Sequence, residues 1–315
     1  MVRSWLCGCA AIALVACSPG GNEEAAGPDL AADTANPPQT DIFVALMEFG
    51  DEGLALRDLR NVTNAPGYDN QPSFIPGTQD FYFVSENETG KTDIWVFDLI
   101  SNQSRLFHDS PTVSEYSPKA APTDYGVSYI QENEAGDVTR VHHAPDSGGP
   151  GEAVVDFAPL GYYAWLSGDE KLGVFLRSEP PALHLVDVES GETEAIADNI
   201  GRSFHAVPSG NGLFFTAIDE DEIHQIMFFN LATNSVIEVV GLPAGVQDFV
   251  VVFSDTGDVD GLMAGSGSIL MFNALESDTQ EWQVVGDYAD AGLQNITRIA
   301  ISDDHAYIAL VGEIE

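Results

Sequence analysis

The chain has 315 residues, with 11 Lys and Arg against 50 Asp and Glu, for a formal net charge of −39. That balance excludes partners held by charge on a basic patch, nucleic acid and anionic membrane surfaces among them. Hydrophobic residues make up 44%, enough for one large all-β domain or two smaller ones, and the scattered acids read as a solvated, self-repelling surface or, alternatively, as a sink for divalent cations.

Residues 1–16 read as an export signal. Arg3 supplies a positive start, and Trp5 to Ala16 is apolar but too short to span a bilayer as a helix. The stretch ends Leu14-Val15-Ala16-Cys17-Ser18. Leu-x-Ala-Cys resembles a bacterial lipobox, which implies cleavage before Cys17 and lipid on its thiol and amine. An ordinary secretory signal cut at a small-residue site is the alternative. Cys7 and Cys9 would leave with the signal, so no cysteine remains for a disulfide and the fold must rest on packing. Acyl chains would hold the protein to a membrane, at about 0.8 kcal/mol per buried methylene. Ser18, in place of an Asp, implies the outer membrane, with the protein facing the periplasm. Residues 17–40 are rich in Ala, Gly, Pro, Asp and Glu without apolar periodicity and read as a disordered tether. Its root-mean-square span would be on the order of 25–30 Å.

Residues 41–315 read as short strands throughout, with no sustained helical period. Ile42 to Met47 and Leu54 to Val62 are two strands without partners. Gly67 to Asn102 then holds Gln71 to Ile75, Phe81 to Ser85 and Asp93 to Leu99, followed by Arg105 to Phe107. Four short antiparallel strands make a sheet that cannot bury both faces alone. The strand-turn-strand pattern recurs at Ser117 to Asp124, Tyr163 to Asp169, His205 to Gly210, Val251 to Gly257 and Ile299 to Asp304. The spacing of roughly 45 residues suits four-stranded propeller blades. The last copy stops after two strands, Ala306 to Val311 closing it. Joining them to the two unpartnered strands at the start completes a sixth blade and closes the ring, which removes open sheet edges. The predicted fold is therefore an all-β six-bladed β-propeller of four-stranded blades, closed by the N- and C-terminal strands in one blade.

Arg105-Leu106 and Val62-Thr63-Asn64 at outer strand ends resemble the repeats of TolB-type six-bladed propellers. Gly67 to Phe74, Ser114 to Pro118, Gly161 to Trp165 and Ile200 to Ser203 are similar to exported propeller lipoproteins of that group. The resemblance spans about Asp41 to Val311. It implies the ring, and the family carries no single activity to transfer. The usual Ser-Pro-Asp-Gly turn is degenerate here, as at Ile75-Pro76-Gly77-Thr78.

In a propeller the loops that enter the innermost strands converge on the central channel. Here they carry Tyr68, Asp69, Asn70 and Gln71; Glu115 and Tyr116; Tyr162, Tyr163 and Trp165; Arg202, Ser203 and His205; Gln247 and Asp248; Asn295, Thr297 and Arg298. Aromatic walls with a few oriented polar groups suit a small ligand. Arg202 and Arg298, in a chain poor in cations, either grip a carboxylate or phosphate or pair with Asp69, Glu115 or Asp248 to bind blade to blade. Tyr162, Tyr163 and Trp165 could equally be blade-interface core. His142 and His143 are adjacent on a strand and point to opposite faces. The other histidines scatter over separate blades, so no metal site and no cofactor are expected. Asp258-Val259-Asp260-Gly261 lacks the ligand ladder of a calcium loop and reads as a hairpin turn, as does Gly265-Ser266-Gly267-Ser268.

Two functions compete. One is a non-catalytic, monomeric binding propeller, attached to the membrane through Cys17, that holds a peptide, glycan or envelope protein at the channel mouth. The other is a periplasmic hydrolase or lyase on peptide or glycan, with Glu115, Asp69 or His205 as acid or base.

Overall fold

The computed structural model describes residues 39–50, 53–108, 110–122, 126–146, 149–275 and 281–314. The expected signal, the expected lipidation at Cys17 and nearly all of the expected tether lie outside them. The chain opens with β1 (Thr40–Gly50) and β2 (Gly53–Asn61). Blade 1 follows as β3 (Asp69–Phe74), β4 (Asp80–Glu86), β5 (Thr92–Asp98) and β6 (Gln103–His108). Blade 2 is β7 (Glu115–Ala120), β8 (Val127–Glu132), β9 (Thr139–Ala144) and the very short β10 (Glu152–Ala153). Blade 3 is β11 (Leu160–Leu166), β12 (Lys171–Leu176), β13 (Ala182–Asp187) and β14 (Thr193–Asp198). Blade 4 is β15 (Ile200–Ala206), β16 (Gly212–Ile218), β17 (His224–Asn230) and β18 (Ser235–Gly241). Blade 5 is β19 (Phe249–Phe253), β20 (Val259–Ser266), β21 (Ile269–Asn273) and β22 (Gln283–Asp287). After a single 3-10 turn at Ala289–Ala291 come β23 (Ile296–Ile301) and β24 (Tyr307–Glu313).

Every blade is an antiparallel four-stranded sheet, and the sixth runs β2-β1-β24-β23. The expected closure by both chain ends is therefore what the structure shows. β1 and β24 pair from Thr40 opposite Glu313 to Leu46 opposite Tyr307. The strand begins at Thr40, which is buried, one residue inside the stretch read as tether. Thr40 also bridges Tyr68, so this end of β1 lies where the inner strands begin. We call that end of the channel proximal and the other distal. The hairpin at Gly265–Ser268 joins β20 to β21 as expected, whereas the other turn lies earlier than expected, at Ser254–Asp258, where Ser254 N donates to Asp258 O at 2.7 Å, and Val259–Gly261 already belong to β20. At the distal turns, Gly77, Gly168, Gly210 and Gly257 take positive φ, and in blade 6 His305 does so at 54° in place of a glycine.

The core is six clusters, one per blade interface, among the described residues. Strand geometry dictates this, because successive side chains point to opposite faces. Phe81 therefore packs toward blade 6 while its neighbour Tyr82 packs toward blade 2. Phe215 packs toward blade 3 and Phe214 toward blade 5. In β1, Phe43 faces blade 5 and Ile42 and Val44 face blade 1. A blade is apolar on both faces, and only the closed ring covers all of them.

Candidate functional site

The six inner strands surround a channel, and irregular pairing decides what faces it. Register shifts fall between Asn70 and Ser73 in β3, and between Tyr116 and Lys119 in β7. Others fall between Leu160 and Tyr163 in β11, Ile200 and Phe204 in β15, and Ile296 and Arg298 in β23. Bulges of this kind re-aim side chains. Gln71 and Ser117 sit at two of them with φ of 56° and 52°, a left-handed conformation that residues other than glycine seldom adopt. Pro72 and Pro118 follow directly, as befits residues that cannot donate to a sheet ladder. Bonds between inner strands hold the strained backbone. Ser117 N donates to Gln71 Oε1 at 2.5 Å, and the Tyr163 hydroxyl lies 3.2 Å from Ser117 O.

The central cavity, about 240 Å³, is lined by residues at or after these shifts, Gln71, Lys119, Tyr162, Tyr163, Arg202, His205 and Arg298 among them, with Asp248. It shares Arg202 and Asp248 with a proximal cavity of about 310 Å³. It shares Lys119, Phe204, His205, Val250 and Ile301 with a distal one of about 660 Å³. They run together as one channel, whose distal part alone, at about 660 Å³, falls within the range of small-ligand sites, about 300–1,000 Å³.

Three cations project into it. Arg298 donates to the Tyr162 hydroxyl at 3.0 Å with its guanidinium 5.4 Å from the centre of the same ring. Arg202 reaches Thr297 O at 3.2 Å across the ring, and its Nε is buried without a hydrogen-bond partner. The Lys119 ammonium lies 5.8 Å from the centre of the Tyr163 ring. Among the described residues, none of the three has a carboxylate within 4.0 Å. The expected pairing of Arg202 and Arg298 with Asp69, Glu115 or Asp248 is therefore absent from this part of the structure. Burial pushes the Lys119 amine down to about 8, with Asp248 opposing and Arg298 adding to the shift. Burial and the neighbouring Lys119 charge push His205 down to about 4, so its imidazole is neutral at pH 7. Burial raises the Tyr68 hydroxyl against the pull of Arg298 and Arg202, which sets that phenol beside the same cations.

The sequence-chosen residues divide at the bulges. Tyr162, Tyr163, Arg202, His205, Asp248 and Arg298 line the central cavity, and Trp165 lines the distal one. Tyr163 also belongs to the core, fully buried between blades 2 and 3. Trp165 Nε1 and the Tyr163 hydroxyl both lie 2.9 Å from Ser128 Oγ. Asp69, Asn70, Glu115 and Tyr116 precede their bulges and point into seams between blades. The Asn70 amide donates to Thr40 Oγ1 at 3.3 Å, and the Tyr116 hydroxyl donates to Glu132 at 3.2 Å. Glu115, with no exposed surface, accepts on Oε1 from His108 Nδ1 at 2.5 Å, Ser110 Oγ at 2.7 Å and Gln131 Nε2 at 3.0 Å. The reading of Glu115 and Asp69 as channel acids or bases is thus corrected by where their strands turn.

Asp69 carries a testable consequence. Burial raises its carboxyl to about 6, against hydrogen bonds from Ser85 and Thr63 and with the Asp41 charge adding to the rise. A folded-state value above the unfolded one means stability that is full below about pH 4 and is lost as pH rises through about 6. Asp69→Asn should therefore melt higher than wild type above pH 6, with the gap closing by pH 4. Thermal melts across that range measure it, and a gap independent of pH would refute the assignment.

Lys119 is the residue that sequence reasoning missed, because Ser117 to Asp124 read as a turn. It occupies the penultimate position of its inner strand, as Trp165 and His205 do of theirs. Aligning strand ends would have found it. Among the described residues no group of three His, Cys, Asp or Glu is placed to hold a metal ion.

No protein-family model matches the chain, and no curated protein does. Solved structures do. A putative TolB from Agrobacterium tumefaciens superposes with a TM-score of 0.67 at 14% identity, covering 89% of this chain and all of that one (100%). The fold is a TolB-like six-bladed β-propeller. The same TolB-like ring is shared by a gluconolactonase from Xanthomonas campestris, with a TM-score of 0.61 at 8% identity over 89% of this chain and 98% of that one. It is shared too by an oligogalacturonate lyase from Vibrio parahaemolyticus, with a TM-score of 0.55 at 13% identity over 89% and 95%. At such identities the likeness speaks to the fold of this TolB-like chain and leaves its function to the site.

Proposed function

We propose that this protein is a non-catalytic binding propeller of the cell envelope that holds an anionic group of its ligand inside the channel. The observation that carries this is the trio of Lys119, Arg202 and Arg298, without a carboxylate within 4.0 Å among the described residues, in a chain of net charge −39. Cations brought together in a confined cavity repel one another, so an anion that joins them is stabilised doubly. Arginine held by an aromatic hydroxyl is oriented in advance for a carboxylate or phosphate. Calorimetric titration of the protein with oligouronates, citrate and inorganic phosphate should give one saturable, salt-sensitive site. Arg298→Ala should weaken it at least tenfold, and a Lys119→Met, Arg298→Ala double variant that binds like wild type would sink the proposal.

The second reading, a lyase or hydrolase working in the channel, is favoured by His205. Its Nε2 lies 3.1 Å from Ser203 Oγ, and as a neutral imidazole beside three cations it could take a proton next to a bound carboxylate. Ser203 itself is engaged with Phe249 N and O, at 3.4 and 3.2 Å, so it serves as a blade tie and not as a free nucleophile. Turnover of oligouronates or lactones that disappears in His205→Gln with the fold intact would establish this reading.

The envelope location rests on the lipobox at Leu14 to Cys17 together with the TolB-like fold. Labelling expressing cells with an alkyne-bearing palmitate should mark the wild-type protein and leave Cys17→Ser unmarked.

A further inference from the structure

We infer that the ligand is a short peptide, seated with its free carboxyl terminus on Lys119 and Arg298 and its amino terminus at the acidic distal rim. The inference rests on the anion-binding reading and names the chemistry that reading leaves open. Three features of the channel lead to it.

The first is the order of charge along the axis. Arg298 and Lys119 lie in the central cavity, Lys119 where it meets the distal one, while Asp255 and Asp303 stand exposed at the distal rim. Inside, Lys119, Arg202 and Arg298 outnumber the one acid of the central cavity, Asp248, while the distal rim is acidic. A polyanion such as an acidic oligosaccharide reaches these cations only against repulsion from that rim and from the net charge of −39, which weakens its binding without abolishing it. A zwitterion with its negative end leading meets complementary charge at both ends.

The second is the wall between those charges. Ala164, Phe204, Val250, Phe253 and the Trp165 ring line the distal cavity. Apolar and aromatic walls of this kind take the apolar side chains of a peptide.

The third is length. Asp303 follows Arg298 by five residues along β23 and its turn. At about 3.3 Å per extended residue this is on the order of 17 Å. An extended peptide of about four or five residues covers the same distance. The distal cavity of about 660 Å³ admits a single such chain. Capture of a terminal carboxylate by converging donors is an established mode of peptide recognition.

The test uses a pool of random apolar tetrapeptides in three forms: both ends free, carboxyl end amidated, amino end acetylated. Retention by the full chain is read by affinity selection and mass spectrometry. The free-ended pool should be retained, amidation should cut retention at least tenfold, and acetylation should cut it severalfold. Asp255→Asn with Asp303→Asn should erase the difference between free and acetylated amines. Arg298→Ala should lose retention of every form; Lys119→Met serves in its place should that variant fail to melt cooperatively. Equal retention of the amidated pool overturns the inference. Absence of peptide retention alongside Arg298-dependent oligouronate binding overturns it too, while sparing the anion-binding reading. If neither peptides nor anions bind, both fall.

Discussion

Ending the chain after Ala306 should abolish cooperative folding. The lost strand β24 lies between β23 and β1 and, among the described residues, joins the two in one sheet. Ile308, Ala309, Leu310 and Val311 are all without exposed surface. Ile308 and Leu310 pack against blade 5, and Ala309 and Val311 against blade 1, so one deletion opens two interfaces. Burying three large aliphatic side chains contributes about 5–9 kcal/mol in total, at about 1.5–3 kcal/mol each. The net stability of a folded protein is only about 5–15 kcal/mol. The exposed edges of β23 and β1 would also invite pairing between molecules. Far-UV circular dichroism during a thermal melt, with light scattering alongside, checks the expectation. A truncated chain that still melts in one sharp, reversible transition would show that blades 1 to 5 stand without closure.

Glu115→Ala should cost about 3–5 kcal/mol of stability, as removal of one partner of a buried ion pair does, and leave channel binding untouched. The carboxylate gathers His108, Ser110 and Gln131 at the seam between blades 1 and 2, and all three lose their acceptor. Its hydrogen bond raises the His108 imidazole above the ordinary histidine range, opposed by burial. The pair's contribution is therefore full below about pH 6.5, the unfolded histidine value, and fades as pH rises through the raised folded value. Denaturant unfolding of wild type and Glu115→Gln should converge at alkaline pH. Loss of ligand affinity in Glu115→Ala at full folding would instead return this residue to the binding site.

The ring was legible because its cause is repetitive. Alternating apolar runs such as Phe81 to Val84 need cover on both faces, and the incomplete copies at the two ends supply each other's missing strands. The channel lining was legible only in part. Convergence of the loops that enter the inner strands places Asp69 and Glu115 beside the axis. The bulges at Gln71 and Ser117 insert one residue, turn those carboxylates into the seams and bring Lys119 inward. A trace of this was present in Pro72 and Pro118, since proline inside a strand marks a break in the ladder. That Arg202 and Arg298 have no carboxylate within 4.0 Å among the described residues could not be read from sequence, because it depends on distances between separate blades.

Thr40 and Glu313 meet beside the proximal cavity, so the polypeptide both reaches and leaves the ring on one side. The broad, acid-rimmed opening looks the opposite way, like a cup held by its foot. A bulky partner joined at Thr40 or at Glu313 therefore leaves the way in clear.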